Sequence, residues 1–141
     1  MHPNDPVTAA LAGYRAAVLA KDVDAFCALY DPDIHVFDMW GRWQHQGLAA
    51  WRDMASGWFG SVGDERVVVE FSEVHSSVSG DLAFGHAFVR FSAEAADGTE
   101  LRSLNNRLTL VLKRQAEGWK IAHEHTSAPI DHASCKAMLQ R

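Results

Sequence analysis

Apolar positions follow two different rhythms in this chain. Before Gly63 they recur at helical spacing, and after it they alternate with polar positions as strands do. Val7, Leu11, Tyr14 and Val18 form one stripe, which predicts a first helix started by Asp5 as N-cap with Pro6 in the first helical position. Asp22 can cap a second, short helix that turns Val23, Phe26 and Leu29 or Tyr30 inward. The dipeptide Asp31-Pro32 stops it, because the residue before a proline avoids helical backbone. Ile34 to Phe37 is a short β-branched and aromatic strand, and Gly41 to Gly47 a loop. Leu48, Trp51, Met54 or Ala55, and Trp58 then mark a third helix.

Four strands are expected after the change of period, over about 66–78, 81–95, 101–115 and 118–128. The turns between them contain Ser79-Gly80-Asp81, Asp97-Gly98 and Glu117-Gly118, all suited to hairpins. Helices followed by an antiparallel meander predict an α+β fold. Along the second long strand, alternation puts Phe84, His86, Phe88 and Arg90 on one face and Ala83, Gly85, Ala87 and Val89 on the other. The bulky face is expected to meet the helices, which frees the small-residue face for a second copy and predicts a homodimer. In the last strand Trp119, Ile121, His123 and His125 share the inward face, opposite Lys120, Ala122, Glu124 and Thr126.

Composition narrows the classes. A length of 141 residues predicts a single domain, and 48% hydrophobic with 22% charged residues is ordinary for a globular protein. The net charge of -5 and pI near 5.8 argue against nucleic acid, which needs a basic face. No apolar run reaches the roughly 18 residues that cross a bilayer. The start MHPNDPVTAA has neither a basic region nor an apolar core of a secretory leader. Cys27 and Cys135 make no disulfide framework, so reduced thiols and a cytoplasmic location are expected.

Three groupings carry candidate chemistry. Arg90 and Arg107, if they faced one cavity about 6 Å apart, would repel by about 3 kcal/mol at an effective dielectric near 20. Such a pair predicts a bound anion, and guanidinium is well shaped for a carboxylate. The bland alternative turns Arg107 outward, like Lys113. His123 and His125, with His86 on the second long strand, could ligate a metal, but no third ligand stands at a fixed spacing. Pocket histidines moving protons, with no metal and no cofactor, are the expectation. Trp51 and Trp58 read as core at helical spacing, while Trp40 and Trp43 in the loop are placed at a pocket rim.

The segments ALAGYRAAVLAKDVDAFCALYDPDIHVFD and NRLTLVLKRQAEGWKIAHEHTSAPI resemble the SnoaL-like, nuclear transport factor 2-like superfamily over roughly residues 7 to 130. The resemblance implies a curved antiparallel sheet wrapped around helices, a cone with an internal pocket. Tyr14 and Asp38 match in separation the pocket tyrosine and base aspartate of ketosteroid isomerases. Arg90, Arg107 and His123/His125 match the pocket arginines and His-x-His of the calcium/calmodulin-dependent protein kinase II association domain. The isomerases' third group, a protonated Asp, has no counterpart in Asn105-Asn106-Arg107. Two functions follow. One is an acid–base enzyme of isomerase, cyclase or dehydratase type acting on an apolar carbonyl- or carboxylate-bearing molecule. Asp38 is its base, Tyr14 and His123 assist, and Arg90, Arg107, His86, His125, Trp40, Trp119 and Phe88 bind the ligand and its anionic group. The other is a non-catalytic domain holding a small carboxylate between the arginines, or serving to oligomerise. An Asp38 bordering a cavity favours the enzyme, and an Asp38 paired to arginine favours the binding module.

Overall fold

The computed structural model describes residues 5–141; residues 1–4, part of the stretch inspected for a leader, lie outside it. Helix α1 spans Pro6–Ala20, and the Asp5 carboxylate caps it by accepting from the backbone N–H of Val7 at 2.8 Å and of Thr8 at 3.0 Å. Asp22 caps α2 (Val23–Cys27) through the N–H of Ala25 at 3.0 Å. Helix α3 spans Leu48–Ser61. All three helices stand where the apolar stripes predict them. Their shared core centres on Phe26, fully buried, with Tyr14, Tyr30, Trp51 and Phe59 rings 5.2–6.1 Å from its centroid.

Strand β1 runs Tyr30–Phe37, four residues earlier than the β-branched pattern suggests. Pro32 fits there because the register with the neighbouring strand is interrupted between Tyr30 and His35, so its missing N–H costs no ladder bond. A two-residue strand β2 (His45–Gln46), within the stretch expected to be loop, pairs with β1. The long strands β3 (Arg66–Ser79), β4 (Leu82–Glu94), β5 (Glu100–Gln115) and β6 (Gly118–Ser127) form the expected meander. The six strands make one curved sheet in the order β2-β1-β6-β5-β4-β3, antiparallel except where β1 runs parallel to β6.

The faces of β4 are the reverse of the expectation. Ala83, Gly85, Ala87 and Val89 are buried toward the helices, whereas Phe84 and His86 are exposed on the outer face. Helix α1 lies so close that a Cβ on Gly85 would sit 2.5 Å from a Val7 methyl and 2.9 Å from the His75 carbonyl oxygen. Small residues are needed there because a helix packs against them, and the face proposed for self-association is occupied by the protein's own helix. Gly85→Ala is expected to lower unfolding free energy by about 1–3 kcal/mol through overpacking, read as a drop in urea midpoint at unchanged slope; an unchanged midpoint would contradict this packing.

A bulge reverses the end of β6. Val111 pairs with His123 but Leu112 pairs with Ile121, so Ala122 is an extra residue on β6. One inserted residue flips every side chain beyond it. Trp119 and Ile121 keep the inward orientation, His123 and His125 turn outward, and Glu124 and Thr126 turn inward.

Candidate active site

Between the inner face of the sheet and α3 lies a cavity of about 910 Å³. Trp51, Met54, Trp58, Val67, Phe91 and Leu104 supply its apolar wall. Exposed lining residues, among them Trp40, Arg42, Asp53 and Arg102, mark the mouth. Helix α1 contributes Tyr14, and polar groups on the sheet side include Asp38, His45, Ser92, Asn106, Glu124 and Thr126. Apolar walls with a few convergent polar groups are the usual make-up of a small-molecule site.

Asp38 follows the last residue of β1 and is half-buried at this wall. Thr126, on the adjoining strand, donates its hydroxyl to the carboxylate at 2.9 Å and accepts the Met39 N–H at 3.0 Å. The parallel pairing of β1 with β6, which matches Phe37 with His125, makes these two residues neighbours. Among the described residues Asp38 makes no ion pair.

Glu124 is the buried carboxyl of the site, 3% exposed. Tyr30 donates its hydroxyl to Oε1 at 2.7 Å. Burial raises the Glu124 pKa to about 7; the Tyr30 hydrogen bond works against the rise and the Asp38 charge adds to it. Tyr14 packs its ring on Phe26 and Phe71 at 5.4 and 6.1 Å. Burial, then the charges of Glu124 and Asp38, hold the Tyr14 hydroxyl well above its usual pKa, so it stays a proton-bearing donor. Asn106, also buried, places Nδ2 3.3 Å from the Met39 sulfur and leaves Oδ1 unpaired.

Of the residues singled out in the sequence, Tyr14, Asp38 and Trp40 are brought together at this cavity. Trp43 is not among them and projects into solvent at 96% exposure. Trp119 packs at the edge of the core, 5.7 Å under the Arg114 guanidinium, away from the cavity. The remaining candidates lie on the outer face. Arg90 pairs with Glu100 at 2.9 Å, which meets the electrostatic demand that an anion was expected to meet. Arg107 is exposed and donates to the Ser127 hydroxyl at 3.0 Å, the outward orientation shared with Lys113. Arg141 stacks on Phe88 at 3.6 Å, and His86 stacks on His75 at 5.0 Å. His123 donates Nδ1–H to the His35 carbonyl at 2.7 Å, and His125 packs edge-on to Phe37. Among the described residues no cluster of three or more His, Cys, Asp or Glu side chains could hold a metal.

Glu124, Asn106, Thr126 and His45 were missed in the sequence. The one local signal for Glu124 is its place between two histidines on a strand, and alternation alone sends it outward. Because Arg107 lies outside the cavity, Arg107→Ala is expected to leave ligand-induced thermal stabilisation unchanged; loss of the shift would return that residue to the site.

A SnoaL-like domain model matches residues 7–131. No curated protein matches the chain. A nuclear transport factor 2-like protein of unknown function from Pseudomonas putida KT2440 is 27% identical, covering 96% of this chain and 92% of its own, with TM-score 0.84. A nuclear transport factor 2-like protein with a cystatin-like fold from Novosphingobium aromaticivorans has TM-score 0.77 at 16% identity, with coverages of 92% and 84%. A protein from Streptomyces avermitilis, provisionally described as a dehydratase of the nuclear transport factor 2-like family, has TM-score 0.75 at 17% identity, with coverages of 89% and 95%.

Proposed function

For a chain that belongs to the SnoaL-like domain family, we propose acid–base catalysis on an apolar, carbonyl-bearing small molecule held in the cavity. The observation that carries this is the pairing of two carboxyls in different settings: Asp38 at the wall, held by a Thr126 hydroxyl and by no cation, and Glu124 buried beside it. A carboxylate bonded only to a hydroxyl keeps an oxygen free to accept a proton. Asp38 removes a proton from the carbon next to the carbonyl, and the C–H electron pair passes into the enolate. The developing oxyanion needs donors that remain protonated near neutral pH. Tyr14 supplies one, and Glu124, whose pKa near 7 keeps a large protonated fraction, supplies another.

The ligand's polar end is a neutral carbonyl rather than the anionic group suggested by Arg90 and Arg107, since two carboxyls at the wall disfavour an anion. A domain clasping a carboxylate between those arginines has no support in their placement, because neither lines the cavity and Arg90 is paired with Glu100. The description of the Streptomyces avermitilis protein as a dehydratase is compatible with proton abstraction beside a carbonyl.

The test is α-hydrogen exchange in D2O, followed by NMR with 2-tetralone as a compact apolar ketone. Wild type should accelerate exchange above the buffer rate. Equal rates with wild type and with Asp38→Asn would refute the assignment.

A further inference from the structure

The two oxygens of the Glu124 carboxyl stand in unlike settings. Oε1 accepts the Tyr30 hydroxyl at 2.7 Å, and both residues are buried, Glu124 at 3% exposure and Tyr30 at 2%. Oε2 has no hydrogen-bond partner among the described residues and is not enclosed by protein, so it opens on the cavity that Glu124 lines. Tyr30 does not line that cavity. Its ring is held between Phe26 and Trp51, with centroids at 5.2 and 5.9 Å, which fixes where its hydroxyl stands.

Burial, then the charges of Glu124 and Tyr14, hold the Tyr30 hydroxyl well above its usual pKa, so it keeps its proton. That buried proton needs an acceptor, and Oε1 is the one the structure gives it. If a protonated Glu124 carried its hydrogen on Oε1, two donors would face each other. With the hydrogen on Oε2, the Tyr30 bond survives and the acidic O–H points into the cavity. Among the described residues no other titratable group competes for this carboxyl. Tyr14 of α1, Asp38 after β1 and His45 of β2 line the cavity with Glu124, but none hydrogen-bonds to it. Strand β5 opposes Glu124 with Leu110, and α3 brings Asp53 at the exposed mouth.

We propose that Tyr30 is a positioning residue of the site: by occupying Oε1 it keeps the Glu124 proton on Oε2, aimed at the carbonyl oxygen of a ligand over Asp38. This rests on the reading of Asp38 as base and Glu124 as oxyanion donor. Tyr30 acts only through Glu124. Its bond also favours the ionised carboxylate, working against the burial that raises the Glu124 pKa to about 7. Losing the hydroxyl therefore has two signatures, a looser donor and a Glu124 that keeps its proton to higher pH.

The test is Tyr30→Phe in the whole chain, with the fold checked by circular dichroism. Exchange of 2-tetralone α-hydrogens in D2O gives kcat and KM. Carbon-13 NMR of glutamate-labelled protein, assigned with Glu124→Gln, follows the carboxyl directly. Removing an oxyanion donor outright costs about 10²–10³-fold in kcat, so loosening one should cost about 10-fold, with KM little changed. The alkaline fall of the exchange rate and the Glu124 titration should move together to higher pH. Wild-type kcat in folded Tyr30→Phe overturns the proposal and leaves Asp38 and Glu124 in place. So does a lower kcat with both pH midpoints unmoved, the mark of a merely structural role. If Tyr30→Phe does not fold, 3-fluorotyrosine incorporated into Tyr14→Phe replaces Tyr30 alone, since the chain has two tyrosines. That stronger donor should shift the Glu124 titration to lower pH, and an unmoved titration overturns the proposal. Wild type without Asp38-dependent exchange removes the proposal together with the reading beneath it.

Discussion

Replacing Asp38 by Asn is expected to reduce α-hydrogen exchange by about 10²–10⁴-fold, the usual contribution of a positioned general base. The substitution removes basicity with little change of shape. The amide oxygen can still accept the Thr126 hydroxyl, and Thr126 can still accept the Met39 N–H, so the end of β1 keeps its attachments to β6. Because Asp38 makes no ion pair among the described residues, no buried partner charge is stranded. The thermal midpoint should therefore stay close to that of wild type while the rate collapses. A variant that keeps the wild-type rate would end the enzyme assignment. A variant that loses rate and fold together would show that Asp38 is chiefly structural.

Glu124→Gln is expected to stabilise the protein at alkaline pH and to remove much of its pH dependence. The Glu124 pKa lies at about 7 in the folded chain against 4.5 for an unperturbed glutamate, chiefly because the charged form is buried. Between those values the folded state holds the proton that the unfolded state has released. The corresponding stabilisation is full below about pH 4.5 and is lost as pH rises through about 7. At about 1.4 kcal/mol per pH unit, the loss is of order 3 kcal/mol. Glutamine carries no charge and its amide oxygen can keep accepting the Tyr30 hydroxyl. Urea unfolding of both proteins at pH 5 and pH 8.5 measures the difference. Parallel pH dependences would show that Glu124 ionises as freely in the folded protein as in solution.

The elements of this fold are local matters and were legible one by one. Asp5 and Asp22 cap their helices from within a few residues, and Gly80, Gly98 and Gly118 take the positive φ angles that the hairpin turns need, 59°, 89° and 113°. Tyr14 and Asp38 were visible as well. The stripe of α1 points Tyr14 inward, and Asp38 ends a strand whose Ile34 and Val36 are buried. The two-residue β2 was not visible, since His45 and Gln46 become a strand only by pairing with Val36 and His35.

Orientation across the sheet is where inference from the chain fails, for two separable reasons. In β4 the alternation is sound, but bulk is a poor guide to which face is inside. Close approach of Val7 to Gly85 requires the small residues to face the helix, so Phe84, His86, Phe88 and Arg90 are left on the other side. In β6 the alternation itself breaks at Ala122, where one residue more than the β5 register requires exchanges His123 and His125 for Glu124 and Thr126.

The sequence by itself determined the helices, the long strands, the turns, the family resemblance and three residues of the site, Tyr14, Asp38 and Trp40, because caps, periodicity and turn glycines act over a few neighbouring residues. The tertiary structure alone decided which side chains meet in the cavity. A sheet face is chosen by what packs on it, and a bulge is chosen by the match of two strands distant in the chain. Those choices put Glu124, Thr126 and His45 beside Asp38, and the arginines and paired histidines outside.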